Sequence, residues 1–120
     1  MGDLTRNFDR SEFACKCGCG FDDIDPLFVE KLQVVRDISG AALYINSGCR
    51  CVKYNAEVGG VPHSSHLRGL AADISTRDGE LRFKVLDAAF KVGFKRIGIG
   101  SSFVHLDIDS ELPFPRLWTY

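Results

Sequence analysis

The chain has 120 residues, of which 45% are hydrophobic and 26% charged, and its formal net charge is -1. That length bounds it to one domain, expected over residues 1–120, with enough interior to need no obligatory staples. The near-zero charge excludes bulk attraction to nucleic acid or an anionic membrane, and no apolar run reaches the roughly 18 residues that cross a bilayer.

Residues 1–24 read as an irregular N-terminal arm, with Phe8, Phe13 and Phe21 as apolar anchors between charges and glycines. Its opening, Met1-Gly2-Asp3-Leu4-Thr5-Arg6-Asn7-Phe8, lacks the apolar stretch of a secretory leader. Cytoplasmic synthesis is therefore expected, with a monomer as the default state. Five cysteines fall in two groups: Cys15, Cys17 and Cys19 in the arm, and Cys49 and Cys51 on either side of Arg50. An odd number excludes complete pairing within one chain, and a cytosolic origin argues against stable disulfides. Free, partly buried thiols are the default reading. A disulfide between the groups and a second, cysteine-bound metal ion are the alternatives; C-x-C spacing on extended backbone splays the sulfurs and weighs against the metal.

Asp25-Pro26 starts a helix, and Leu27, Val29, Leu32, Val35 and Ile38 recur near helical period until Gly40 stops it. This helix is expected to pack on a sheet. Residues 42–46 form a short β-prone run, and 47–65 read as a long loop ending at His66. Residues 69–75 are a small-residue strand in which Ala71 and Asp73 share a face. Asp78 caps a second helix with an apolar stripe of Leu81, Val85, Ala88, Ala89 and Val92, closed by Gly93. Residues 96–100 and 103–108 read as strands joined at Gly100-Ser101, with His105 and Asp107 on one face. Residues 112–120 are expected to close the fold as an irregular segment. The order of elements implies an α+β fold with a central, mostly antiparallel sheet and flanking helices.

Two of the three histidines, His66 and His105, fall in one candidate site with Asp73. Asp73, between Ala72 and Ile74, is costly to bury without a cation or hydrogen-bond donors, and His105 interrupts Phe103, Val104 and Leu106. His66, Asp73 and His105 together offer the donor set of a catalytic zinc that leaves a position open. Satisfied core histidines are the plainer alternative at this level.

Ser64-x-His66-x-x-Gly69-x-Ala71-x-Asp73 resembles the SxHxxGxAxD signature of the zinc D-Ala-D-Ala carboxypeptidase family. Ser47-Gly48-Cys49-Arg50 resembles its SGxR element. Tyr54-Asn55, Gly59-Gly60 and Phe103-Val104-His105-Leu106-Asp107 are similar to its small single-domain branch in bacteria and phages. The resemblance spans residues 8–107. It implies the fold shared by the hedgehog signalling domain and murein DD-peptidases, one catalytic Zn2+ on His66, Asp73 and His105, and peptidoglycan stem peptides as substrate. It also implies that Arg50 stabilises an oxyanion or holds a substrate carboxylate, and that Ser64 orients the substrate. Reaching the wall would then need a phage-type export or lysis route.

One position departs from the pattern. Better-known members of the family carry Glu or Asp three residues before the last His ligand, or a histidine two before it; here these are Ser102 and Phe103. Asp107 is the best remaining acid for the catalytic base, its alternative being to orient His105. Asp109, Glu57 and His63 are weaker candidates. The sequence thus leaves three functions open: a zinc metallopeptidase of the carboxypeptidase or endopeptidase type, a non-catalytic zinc-binding component of a cell wall or virion, or a redox or regulatory module built on the five cysteines and the metal.

Overall fold

In the computed structural model, which describes residues 2–120, the two long helices begin and end at their caps. Helix α1 (Pro26–Ser39) starts at Asp25, whose carboxylate accepts from the N–H groups of Leu27 and Phe28. Pro26 occupies the first helical position, where no N–H is required, and Gly40 ends the helix in the left-handed region. Strand β1 (Ile45–Ser47) and the short helix α2 (Val52–Glu57) follow. After strand β2 (Ala71–Ser75), helix α3 (Gly79–Val92) is capped by Asp78 and closed by Gly93. Strands β3 (Arg96–Ile99), β4 (Phe103–Asp107) and β5 (Arg116–Thr119) complete the chain.

The five strands form one mixed sheet in the order β1-β2-β4-β3-β5. Three pairings are antiparallel, and β5 joins the edge parallel to β3. The α+β expectation holds. The tail does not close irregularly as expected: residues 116–119 are a strand, and Pro113 and Pro115 delay its start without preventing it. The expected loop over 47–65 likewise contains α2, whose six residues are too few to show a hydrophobic period.

Alternation along the strands separates two functions. Ala72, Ile74, Val104 and Leu106 join the hydrophobic cluster with α1 and α3, while Asp73, His105 and Asp107 take the other face. Phe28 of α1 meets Phe94 edge-on, with ring centroids 6.2 Å apart, where α1 lies against α3. Antiparallel register sets Asp73 opposite His105 and Ala71 opposite Asp107.

The buried face of α1 is rotated from the expected stripe. Phe28, Val29, Leu32, Gln33 and Val35 are enclosed, whereas Leu27 (56% exposed) and Ile38 (44%) face solvent. The cause is the arm, which packs on this helix. Gln33 Oε1 accepts from Thr5 Oγ1 (2.8 Å) and the Asn7 N–H (2.9 Å), and Nε2 donates to Asn7 Oδ1 (2.8 Å) and Asp37 Oδ1 (3.0 Å). The arm is also less irregular than expected: a 3-10 helix, Arg10–Phe13, is started by a capping box between Asp9 and Glu12. Phe8 and Phe13 are fully buried, as anchors should be. Among the described residues, no helix is long and apolar enough to cross a membrane.

This packing predicts that Gln33→Met, which keeps the side chain's length but none of its hydrogen bonds, costs about 1–3 kcal/mol. Leu27→Ala should cost about 0.5 kcal/mol or less. Urea denaturation of both variants checks the assignment, and the reverse ranking would restore the stripe expected from periodicity.

Candidate metal centre

His66 is delivered by a 3-10 helix, Ser65–Arg68, that begins at Ser64 and ends at Gly69. The Ser64 hydroxyl accepts from the His66 N–H at 3.2 Å. Gly69 has φ +67°, and a Cβ there would stand 2.1 Å from the carbonyl oxygen of Asp23. The glycine of the signature is thus required twice, by its left-handed backbone and by the arm pressed against it. From this turn the chain enters β2, which carries Asp73 to a position opposite His105 on β4.

The proton positions at these rings follow from their outer partners. His66 Nδ1 lies 2.6 Å from the carbonyl oxygen of Gly48, which can only accept, so this nitrogen carries the proton. His66 Nε2 therefore presents a lone pair; it is buried, has no hydrogen-bond partner, and lies 3.3 Å from Asp73 Oδ1. His105 Nε2 lies 2.7 Å from Asp107 Oδ2, which fixes a proton there, and its Nδ1 stands 2.9 Å from the same Asp73 oxygen. The rings of His66 and His105 meet edge-on with centroids 5.1 Å apart.

Two imidazole nitrogens and a carboxylate oxygen thus converge in a buried place, all within 4.8 Å of one another. Three acceptors facing each other repel unless a positive charge stands among them. Donors at about 2.0–2.2 Å from one tetrahedral zinc lie roughly 3.3 Å apart, close to the spacings here, and the N, N, O set is that of a catalytic site with an open position. The residues fit the metal. The site favours positive charge at this point: burial opposes ionisation of Asp73, but hydrogen bonds from His105 and His66, when these rings carry the proton, hold its carboxyl far below the usual range. Burial lowers His66, while at His105 the carboxylates of Asp107 and Asp73 outweigh burial and raise it.

The other oxygen of Asp73 accepts from Arg50 Nη2 at 3.1 Å. Arg50 Nε donates to Ser47 Oγ at 3.0 Å and Nη1 to Asn55 Oδ1 at 3.2 Å, so all three nitrogens of the guanidinium are anchored. Asn55, on α2, also donates to the Val61 carbonyl at 2.8 Å, which holds the loop over the site. Ser64 lines the same cavity, of about 520 Å³, together with Arg50 and the three candidate ligands.

Asp107 lines the cavity, with both of its oxygens held by neighbours. It lies behind His105, its side chain without exposure, with Oδ2 on the imidazole and Oδ1 accepting from Arg96 Nε at 2.8 Å and the Asp109 N–H at 3.1 Å. Both oxygens are committed on the side away from His105 Nδ1. The weaker candidates are not brought in. Asp109 is buried against Ser65 and Arg68, while Glu57 and His63 are exposed and absent from the cavity wall.

Sequence reasoning missed Arg96 and Trp118. Arg96 bridges Asp107 to the Pro113 carbonyl, and its guanidinium lies 4.9 Å from the centre of the Trp118 ring. Trp118, on β5, stands 5.4 Å from the His105 ring and closes the cavity beside Tyr120. A Cβ at Gly98 would come within 2.5 Å of Trp118 Nε1, so the indole uses the space that glycine leaves on β3. The signal available was the single tryptophan, in a tail following a glycine-containing strand.

A family model described as Peptidase M15 matches residues 6–107 of the chain. No curated protein matches it.

If Asp107 holds the tautomer and angle of His105, Asp107→Asn should weaken zinc binding by about 10–100-fold while leaving the fold intact. Competition with a chromophoric chelator measures the affinity, and circular dichroism the fold. Unchanged affinity would show that His105 is held without it.

Proposed function

The chain belongs to the M15 peptidase family, and on that footing we propose that this metallopeptidase hydrolyses peptide bonds in peptidoglycan stem peptides. The reaction would be that of a D-Ala-D-Ala carboxypeptidase or a murein endopeptidase. The observation that carries the reading is the convergence of His66 Nε2, His105 Nδ1 and Asp73 Oδ1, three lone-pair donors fixed from outside by Gly48, Asp107 and Arg50.

In this reading His66, Asp73 and His105 hold one zinc ion, which supplies Lewis acidity to the carbonyl under attack and to the attacking water. The chain's own residues supply position and charge. Arg50 presents a guanidinium already anchored at each nitrogen, so little reorganisation accompanies contact with a developing oxyanion or a substrate carboxylate. Ser64 uses its oxygen as an acceptor from the His66 N–H, which leaves its own hydrogen free to donate to a substrate carbonyl. Phe103, Leu112, Trp118 and Tyr120 give one side of the cavity an aromatic and apolar surface. We assign Asp107 to orienting His105 rather than to accepting the proton of the attacking water.

The second reading, a non-catalytic zinc-binding component of a wall or virion, is favoured by one observation. The carboxylates of the cavity wall are Asp73 and Asp107, and both are fully engaged. Incubation of the purified protein with murein and synthetic stem peptides, followed by mass spectrometry of the products, separates the two. The peptidase should release D-Ala or cut stems, lose this activity to chelator and regain it with zinc. Arg50→Ala should lower kcat/KM by about 10²–10³-fold. Absence of any zinc-dependent product, with native and His66→Ala proteins binding murein equally, would establish the non-catalytic role.

A further inference from the structure

Four of the five cysteines meet at the surface where the arm touches the start of α2. Cys15, Cys17, Cys19 and Cys51 each place a sulfur within 4.8 Å of the other three. Cys15 Sγ and Cys17 Sγ are 3.5 Å apart, and Cys17 Sγ and Cys51 Sγ 3.6 Å. Four sulfurs at about 2.3 Å from one tetrahedral zinc stand roughly 3.8 Å from each other. The two closest spacings fall just short of that value and no pair exceeds 4.8 Å, whereas a disulfide needs about 2.05 Å.

The backbone explains how C-x-C spacing achieves this. The arm is not extended here. The Gly18 N–H donates to the Cys15 carbonyl, the Cys15 N–H donates to the Phe21 carbonyl, and Gly18 and Gly20 adopt φ of +83° and +92°. This double reversal folds Cys15, Cys17 and Cys19 to one side instead of splaying them on alternate faces. The fourth sulfur comes from the chain's other cysteine group, 32 residues beyond Cys19, and it caps α2 by accepting from the Tyr54 N–H at 3.4 Å. The Cys51 N–H in turn donates to Cys15 Sγ at 3.4 Å. Backbone donors aimed at sulfur are what a thiolate site uses to offset its charge. Lys53 borders the same hollow. Cys49 takes no part: it is buried in the hydrophobic cluster, and burial pushes its thiol up to about 12.

We propose that Cys15, Cys17, Cys19 and Cys51 bind a structural zinc ion, separate from the His66, Asp73 and His105 centre, that ties the N-terminal arm to the start of α2. Its place gives it a consequence. Cys51 directly follows Arg50 and caps the helix that carries Asn55, one of the anchors of the Arg50 guanidinium. Without the clamp, the arm is held near this point by the Cys49 N–H on the Phe13 carbonyl and by the contact of Gly48 with Phe13. With it, the segment bearing Arg50 is fixed from both sides. A zinc held by four thiolates has no open position, so the site carries no hydrolytic chemistry of its own.

Metal analysis of the full chain purified with zinc tests the proposal independently of any activity. The native protein should carry two zinc ions per chain, His66→Ala one, and Cys17→Ser/Cys19→Ser one. These two cysteines are exposed, so their replacement leaves the core intact. Cobalt substitution of His66→Ala should give intense thiolate-to-cobalt charge-transfer absorption in the near ultraviolet, absent from the double serine variant. For native protein, alkylation under zinc should spare four thiols that become reactive after chelation. One zinc per native chain, with Cys17 and Cys19 alkylated at the same rate with and without zinc, would overturn the proposal. So would a disulfide among the four in protein purified with zinc.

Discussion

Everything at the cavity floor depends on three electron pairs aimed at one point. Unprotonated imidazole nitrogens and a carboxylate oxygen do not face one another in a dry interior by preference, and here each is aimed from behind. Gly48 takes the proton of His66, Asp107 takes that of His105, and Arg50 draws the second oxygen of Asp73. The antiparallel register of β2 and β4 then makes Asp73 and His105 direct neighbours. The strain of the arrangement is spread over backbone, salt bridge and sheet, and a cation relieves it at a single place.

The same scaffold explains why the site is rigid. The helices cover one face of the sheet, so the alternating residues of β2 and β4 can be apolar toward them and polar away from them without conflict. Arg50 is fixed by groups from β1, α2 and β2, and Asn55 links it onward to the loop at Val61. A guanidinium held in this way meets charge without first losing side-chain freedom, which is the condition under which electrostatic preorganisation is effective.

Much of this was legible in the residues. Caps announced both long helices: Asp25-Pro26 and Gly40, Asp78 and Gly93. The turn at Gly100 and the alternation around His105 fixed β3 and β4. The three converging residues stood out because Asp73 and His105 interrupt apolar runs, and the family match agrees with the resemblance they carry. What was hidden depends on contacts distant in sequence. Gln33 reads as a surface residue until the arm is laid over it. Asp107 reads as a free acid until Arg96 and the His105 imidazole occupy its two oxygens. Six residues of α2 carry too little periodicity to be seen, and β5 needs β3 as a neighbour before its pattern means anything.

That last strand divides the cavity by origin. The floor comes from residues 50–107, within the stretch that matches the family, whereas Leu112, Trp118 and Tyr120 of the wall come from a segment beyond it. The segment attaches to the sheet through one edge pairing, and its indole settles over Gly98. The segment supplies no ligand, yet it reaches one: Trp118 stands against the His105 ring, and Pro113 and Trp118 hold the Arg96 that steadies Asp107. The last strand is thus both the lip of the cavity and the outer brace of its floor, so the shape offered to a substrate and the set of the second imidazole are mechanically joined.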